Sequence, residues 1–127
     1  MTSPISEIEI LLGVYFDGLY HSDTERLGRA FHPEARYVTA TGGDPLILDM
    51  PAYFAIVEKR EAPASRNEPR RDVIREIQIA GPETAFARVN CAIGERHFTD
   101  LLSLIRVDGE WRIIAKIFHY DIVTATS

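Results

Sequence analysis

Apolar residues, many of them β-branched, are concentrated in two runs near the end of the chain. The segment FTDLLSLIRVDGEWRIIAKIFHYD contains two apolar runs on either side of Asp108-Gly109. This dipeptide suits the two positive-φ positions of a type I′ turn. The pattern therefore predicts a β-hairpin in which Val107 lies opposite Glu110, and the alternation assigns every side chain to one of two sheet faces.

One face of the predicted hairpin is almost entirely apolar. It carries Phe98, Asp100, Leu102, Leu104, Trp111, Ile113, Ala115, Ile117 and His119. The opposite face carries Thr99, Leu101, Ser103, Ile105, Arg112, Ile114, Lys116, Phe118 and Tyr120. Asp100 and His119 interrupt the apolar face near one end, as diagonal neighbours within side-chain reach. A carboxylate and an imidazole that point into an apolar interior predict a functional site.

The segment before the hairpin extends this sheet. Four strands are predicted at about 70–80, 83–93, 96–107 and 110–121, and the short turns between them require antiparallel pairing. If Gly94-Glu95 is a two-residue turn, Val89 lies opposite Asp100. The same face then carries the small side chains of Ala85, Ala87 and Cys91.

The N-terminal half has the spacing of amphipathic helices. Apolar residues recur at helical intervals from about residue 4 to 20. Ser22-Asp23-Thr24-Glu25 has the form of a capping box with Ser22 at the N-cap. The short helix that follows is predicted to end at His32, because Pro33 disfavours a helical residue before it. Its buried side chains are predicted to be Leu27, Ala30 and Phe31.

Residues 36–48 favour two short extended segments joined by a turn at 41–44. Residues 62–69 favour a loop. Asp49 can cap a third helix, with Pro51 in its first turn. That helix is predicted to bury Tyr53, Phe54, Ile56 and Val57. Helices followed by an antiparallel meander predict one α+β domain over residues 1–127, with the helices packed on one face of the sheet.

Composition limits the possible functions. The chain has 127 residues, 46% of them hydrophobic and 26% charged, with a net charge of −5. This balance is that of a globular domain and argues against a broad nucleic-acid surface. No apolar run approaches the roughly 20 residues of a membrane span. The N-terminus lacks the basic segment of a signal peptide. The single cysteine, Cys91, fits a reducing compartment, so we expect a cytoplasmic protein.

Cofactor and metal motifs are missing from the sequence. It contains no phosphate loop, no dinucleotide fingerprint and no G-x-S-x-G motif. The four histidines do not fall at metal-ligand spacing. We therefore expect neither a cofactor nor a metal. Trp111 could stack on a flat ligand but more often closes the end of such a core. His32 could bind a ligand but is more often a packed or capping side chain.

Two segments carry a resemblance to a known family. The run YFDGLYHSDTERLGRAFHPEARY, followed by a helix, a loop and FTDLLSLIRVDGEWRIIAKIFH, resembles the nuclear transport factor 2-like superfamily over nearly the whole chain. Within it, the match is to the small bacterial branch labelled lumazine-binding, a neighbour of the SnoaL-like polyketide cyclases. The resemblance implies a cone: a curved antiparallel sheet around a cavity closed by the N-terminal helices. It also implies a homodimer through the outer sheet face.

Enzymes of that superfamily tend to use an aspartate or histidine that projects into the cone, and Asp100 and His119 match this arrangement in kind. The predicted cavity is lined by Tyr15, Leu19, Tyr53, Val57, Val89, Phe98, Asp100, Leu102, Ile113, Ala115 and His119. Two functions remain open. One is binding of a small, largely apolar molecule with isomerase-, dehydratase- or cyclase-like proton transfer. The other is a non-catalytic dimeric ligand-binding or accessory domain.

The outer sheet face is the predicted dimer contact. Its large apolar side chains are too many to leave in water on one patch. They are Phe86, Leu101, Ile105, Ile114, Phe118 and Tyr120. Polar residues among them, such as Arg88, Ser103 and Lys116, suit a mixed interface.

Overall fold

A curved six-stranded sheet forms the body of the protein, and helices cover its concave face. The computed structural model describes residues 3–124. The strands are β1 (Phe31–Thr39), β2 (Leu46–Asp49), β3 (Val73–Ile79), β4 (Thr84–Ile93), β5 (Arg96–Val107) and β6 (Glu110–Ile122). The helices are α1 (Pro4–Tyr20), α2 (Thr24–Ala30) and α3 (Met50–Lys59), with a 3-10 turn at Pro63–Arg66. The predicted α+β class is confirmed.

The strand order is β2-β1-β6-β5-β4-β3. All neighbouring pairs are antiparallel except β1 and β6, which run parallel. The predicted turn between β5 and β6 is confirmed, because Asp108 and Gly109 have φ values of 52° and 79° and Val107 pairs with Glu110. The register of β4 is also as predicted, with Val89 opposite Asp100. The unbroken alternation of β4 and β5 therefore directs Asp100 into the core.

A β-bulge in β6 overturns part of the predicted register. Leu104 pairs with Ile113, whereas the preceding residue, Ser103, pairs with Ala115. Ile114 is the extra residue, and beyond it each side chain lies on the face opposite to the predicted one. His119 is therefore exposed, and Lys116 is buried.

Because of the same bulge, four neighbouring predictions are wrong. Ala115 and Ile117 do not lie on the inner face, and Phe118 and Tyr120 do not lie on the outer face. Phe118 is instead a core residue. The inner face before the bulge is as predicted, since Trp111 and Ile113 are buried. Phe118, Tyr120 and Lys116 are therefore not part of the predicted dimer surface.

Smaller corrections concern the helices. Asp23, rather than Ser22, caps α2 and accepts hydrogen bonds from the backbone of Glu25 and Arg26, while Ser22 adopts a φ of 49°. That helix ends at Ala30 instead of His32, because Phe31 already begins β1. Asp49 caps α3 as predicted. In α3, Tyr53 and Val57 are buried but Ile56 is exposed.

The contact between α1 and α2 supports a first prediction. A Cβ atom added to Gly18 would lie 2.8 Å from the Leu27 Cγ and 3.3 Å from the Leu27 backbone nitrogen. Leu27 is fully buried, so it has little room to move. We expect Gly18→Ala to lower the free energy of unfolding by about 1–3 kcal/mol, measured by urea denaturation.

Gly13 provides the matched control in the same helix. An added Cβ there would meet no atom within 4 Å. Gly13→Ala should therefore raise the free energy of unfolding by about 0.5–1 kcal/mol through helix propensity. Equal effects of the two substitutions would show that α1 and α2 are not packed this closely.

Candidate functional site

A buried tyrosine–aspartate pair lies at the centre of the candidate site. Asp100 projects inward from β5, and Tyr15 reaches it from α1; both side chains are fully buried. The Tyr15 hydroxyl donates a hydrogen bond of 2.5 Å to Asp100 Oδ2. So short a distance is typical of a bond to a charged acceptor. Burial first, and then the negative charge of Asp100, raise the pKa of Tyr15 well above its ordinary value.

Lys116 adds a buried positive charge beside this pair. Its ammonium lies 5.2–5.9 Å from the centroids of five aromatic rings, those of Tyr15, Tyr37, Tyr53, Phe98 and Phe118. Burial is the largest single influence and opposes the charge of Lys116, but the attractions of Asp100, Tyr53, Cys91 and Tyr37 together outweigh it, so the pKa of Lys116 is raised above its ordinary value. The aromatic faces further stabilise the cation. Lys116 therefore stays protonated at neutral pH.

These two raised pKa values predict a loss of stability in alkaline solution. The folded state keeps the Lys116 proton above the unfolded pKa of about 10.4, and the Tyr15 proton above about 10. Their stabilising effects are thus complete below those values and are lost as pH rises through the folded pKa values. We expect the free energy of unfolding to fall by up to about 1.4 kcal/mol per pH unit for each group.

The measurement is denaturant unfolding between pH 8 and 11. Lys116→Met and Tyr15→Phe should each reduce the alkaline slope. Lys59→Met, at the end of α3, is the matched control and should keep the slope of the wild type. An identical slope in all four proteins would contradict these assignments.

Two polar atoms of the site have no partner. Asp100 Oδ1 and the hydroxyl of Tyr53 are both buried and make no hydrogen bond within the described residues. Such orphaned groups are costly, because each has lost its hydration without compensation. Together with the Lys116 ammonium they supply an acceptor, a neutral donor and a cationic donor in one interior region. This combination suits a small ligand that carries a carbonyl or hydroxyl oxygen.

Cys91 lies next to the carboxylate on β4, with its sulfur 3.8 Å from Asp100 Oδ2. Burial, followed by the charge of Asp100, raises the pKa of the thiol far above its ordinary value. A thiol that resists ionisation is a poor nucleophile. Cys91 is therefore a small wall residue of the site rather than a reactive group.

The structure brings most of the predicted lining residues together on the concave side. Tyr15 and Leu19 come from α1, and Tyr53 and Val57 from α3. The sheet contributes Val89, Phe98, Asp100, Leu102 and Ile113, all of them buried. Their functional roles stay predictions. The placement of His119 and Ala115 is wrong, since both lie beyond the bulge.

His119 belongs to the outer surface. Its side chain is 62% exposed, and Nε2 lies 2.9 Å from Asp121 Oδ1. It is therefore separated from Asp100, and the predicted Asp100–His119 pair does not form.

His32 and Trp111 lie away from the carboxylate. His32 Nδ1 accepts a hydrogen bond from the backbone of Glu34, and the ring lines a surface pocket of 240 Å³ with Met50 and Phe54. Trp111 lies at the opposite end of β6 from Phe118, the residue that pairs with Asp100. Neither is positioned to touch a molecule bound at Asp100.

In the described part of the chain, side chains occupy the interior around Asp100. Four pockets open at the surface, and Asp100 lines none of these four. Large side chains occupy the centre of the cone, among them Tyr15, Phe31 and Tyr53. A ligand at Asp100 must therefore displace or move side chains.

Sequence reasoning missed Lys116. The signal that could have revealed it is the run Ile113-Ile114-Ala115, three apolar residues in succession that break the period of two. A break of this kind is typical of a bulge. With one residue skipped, Lys116 and Phe118 fall on the inner face.

The curved sheet covered by helices is the fold of the nuclear transport factor 2-like proteins. A similar structure is an NTF-2 like protein of unknown function from Silicibacter pomeroyi DSS-3, with a TM-score of 0.84 and 24% identity over 95% of this chain and 100% of that one. Another is a ketosteroid isomerase-like protein from Erwinia carotovora atroseptica SCRI1043, with a TM-score of 0.73 and 10% identity over 94% and 98% of the two chains.

The family is established by residues 3–119, which match the model described as "Putative lumazine-binding". The chain belongs to this family. A curated relative named Aldolase FrzH, from Cladobotryum sp, is 23% identical over 107 residues, which are 83% of this chain and 82% of that protein. No helix in residues 3–124 combines the length and apolar character needed to cross a membrane.

Proposed function

We propose that the protein binds a small, largely apolar carbonyl compound in its interior and transfers a proton at the carbon next to the carbonyl. The observation that supports this most strongly is the state of Asp100. One oxygen is fixed by Tyr15 at 2.5 Å, while the other has no partner and lies in the apolar interior. A carboxylate oriented in this way is suited to act as a general base.

The neighbouring groups suit the charge that such a reaction develops. Asp100 Oδ1 takes the proton from the α-carbon, and the electron pair of the broken C–H bond moves to the carbonyl oxygen to form an enolate. The Lys116 ammonium and the Tyr53 hydroxyl are the donors available to stabilise that oxygen. If the substrate has a β,γ double bond conjugated with the enolate, return of the proton to the γ-carbon gives an isomer. The same enolate can instead expel a leaving group from the β-carbon, which is an elimination, or attack an electrophilic carbon to form a carbon–carbon bond.

The names of two similar proteins agree with this chemistry. Aldolase and ketosteroid isomerase are names for enzymes that act on carbonyl compounds. They support the class of reaction but not a particular substrate.

Deuterium exchange tests the proposal without a known substrate. Cyclic ketones of increasing size, from cyclopentanone to a fused bicyclic ketone, are incubated with the protein in D₂O, and loss of the α-proton signal is followed by NMR. We expect the wild type to accelerate exchange for at least one ketone, and Asp100→Asn to lose about 10²–10⁴-fold of that rate.

Asp108→Asn is the matched control, because this exposed turn residue adopts a positive φ that asparagine tolerates. It should exchange as fast as the wild type. Absence of acceleration with every ketone, or equal rates for the two variants, would contradict the proposal.

The closed interior favours a second candidate, a non-catalytic ligand-binding or accessory domain. Asp100 and Tyr15 are fully buried, and Lys116 is only 3% exposed. In that case the three polar side chains hold the helices to the sheet. The same exchange assay separates the candidates, since a structural cluster gives no acceleration.

We also propose a homodimer through the outer sheet face. Leu101 and Ile117 are cross-strand partners there and are 40% and 50% exposed. Burial of the same apolar patch on both chains is the usual form of a two-fold interface. We expect light scattering to give a dimer mass at tens of micromolar, in the range of ordinary assay concentrations.

Ile117→Glu should dissociate the dimer, because it places a charge in the apolar patch that the proposed interface buries on both chains. Glu83→Gln, an exposed residue in the turn before β4, is the control and should remain dimeric. A monomeric wild type would refute the dimer without affecting the interior site.

A further inference from the structure

A polar pocket, separate from the buried site at Asp100, lies at the end of the sheet where β3 begins. It has a volume of about 520 Å³ and lies between residues 70–73 and the adjoining parts of β4 and β5. Four basic side chains line it: Arg70, Arg71, Arg75 and His97. This concentration of basic side chains contrasts with the net charge of −5 on the whole chain.

Two of these arginines have no acidic partner among residues 3–124. Arg70 is neutralised by Asp17 at 3.0 Å and Asp72 at 2.7 Å. Arg71 and Arg75 lie within 4.0 Å of no carboxylate in the described structure. The pocket also contains the carboxylate of Asp121, which pairs with His119 at 2.9 Å. Arg71 and Arg75 are therefore the guanidinium groups of this pocket that no carboxylate of the described residues neutralises.

Arg75 is held in place by a chain of hydrogen bonds. Its Nε donates to Asn90 Oδ1 at 2.5 Å. Asn90 Nδ2 in turn donates to the Phe98 carbonyl and to Thr99 Oγ1, each at 3.1 Å. Both acceptors lie on β5, so the guanidinium is tied to two strands of the sheet. Its two terminal nitrogens remain available to a ligand in a fixed orientation.

We propose that this pocket binds a small molecule through an oxyanion group, a carboxylate or a phosphate. The planar fork of an arginine matches two oxygens of either group. Arg75 is the fixed contact, and Arg71 and the His97 ring complete the donor set. This site does not depend on proton transfer at Asp100. Cys91 is common to the two sites, because it lines the pocket and its sulfur is 3.8 Å from Asp100 Oδ2.

Calorimetric titration with inorganic phosphate and with succinate, at constant ionic strength in chloride buffer, tests the proposal. We expect saturable binding of at least one of the two anions at one site per chain. The tighter anion identifies the ligand group as phosphate or carboxylate. Arg75→Gln should weaken this binding at least about tenfold, the loss expected for one charge-assisted contact.

Arg106→Gln is the matched control, because it removes an exposed arginine at the far end of β5. It should change the affinity by less than about twofold, since Arg106 does not line the pocket. Both variants should melt like the wild type. Binding that does not saturate, or an equal loss of affinity in the two variants, would overturn the proposal and leave the proposed chemistry at Asp100 untouched.

Discussion

Replacing Asp100 by asparagine should lower the free energy of unfolding by about 2–4 kcal/mol, which is near the values for breaking buried charge pairs. The substitution keeps the shape of the side chain but leaves the Lys116 ammonium buried without a neighbouring negative charge. It also replaces the charged acceptor of the Tyr15 hydroxyl by a neutral one. In a thermal melt at neutral pH, this corresponds to a fall in Tm of about 10 °C.

A second variant shows whether the loss comes from the unmatched charge. Asp100→Asn combined with Lys116→Met removes both charges, and it should recover most of the lost stability because no buried ion remains alone. Asp108→Asn should melt like the wild type. If Asp100→Asn alone is neutral or stabilising, Asp100 is not a charged partner of Lys116, and the electrostatic description of the site is wrong.

Replacing Tyr53 by phenylalanine should slow the proposed deuterium exchange by about 10²-fold, the usual effect of removing one donor to a developing oxyanion. The ring of Tyr53 packs against Tyr37, with centroids 4.4 Å apart, and phenylalanine keeps that contact. The hydroxyl makes no hydrogen bond within the described residues, so its removal costs no interaction. The Tm should therefore stay unchanged or rise.

Tyr15→Phe provides the contrast. It removes the donor of the 2.5 Å hydrogen bond to Asp100, and it should cost about 1.5–3 kcal/mol of stability, the range for hydrogen bonds to charged groups. Thermal melts and exchange rates of the two variants are measured together. If Tyr53→Phe loses as much stability as Tyr15→Phe, the Tyr53 hydroxyl has a hydrogen-bond partner in the folded protein. It is then not free to bind a ligand.

The inward position of Asp100 could be predicted from the sequence because it depends only on local alternation. Along β5, buried and more exposed side chains alternate without interruption from His97 to Ile105, and the tight turn at Asp108-Gly109 fixes the register. One inserted residue, Ile114, then reverses the face of every later residue in β6. The sequence pattern therefore predicts Lys116 on the surface and His119 in the interior, and both predictions are wrong.

The pairing of strands that are distant in the sequence could not be predicted from local patterns either. The parallel strands β1 and β6 lie far apart in the chain, and no short turn connects them, so the sequence contains no local signal for their pairing. The N-cap of α2 is Asp23 instead of the predicted Ser22 for a different reason. Both residues are good caps, and the choice depends on how the chain leaves α1, where Ser22 takes a positive φ.

The double variant Asp100→Asn/Lys116→Met tests the proposed chemistry most directly, because it separates folding from catalysis. Its Tm should lie within a few degrees of the wild-type value, as both buried charges are absent. Its deuterium exchange rate should equal that of the ketone in buffer alone. A well-folded double variant that still exchanges at the wild-type rate would contradict the assignment of Asp100 and Lys116 to the proton-transfer site.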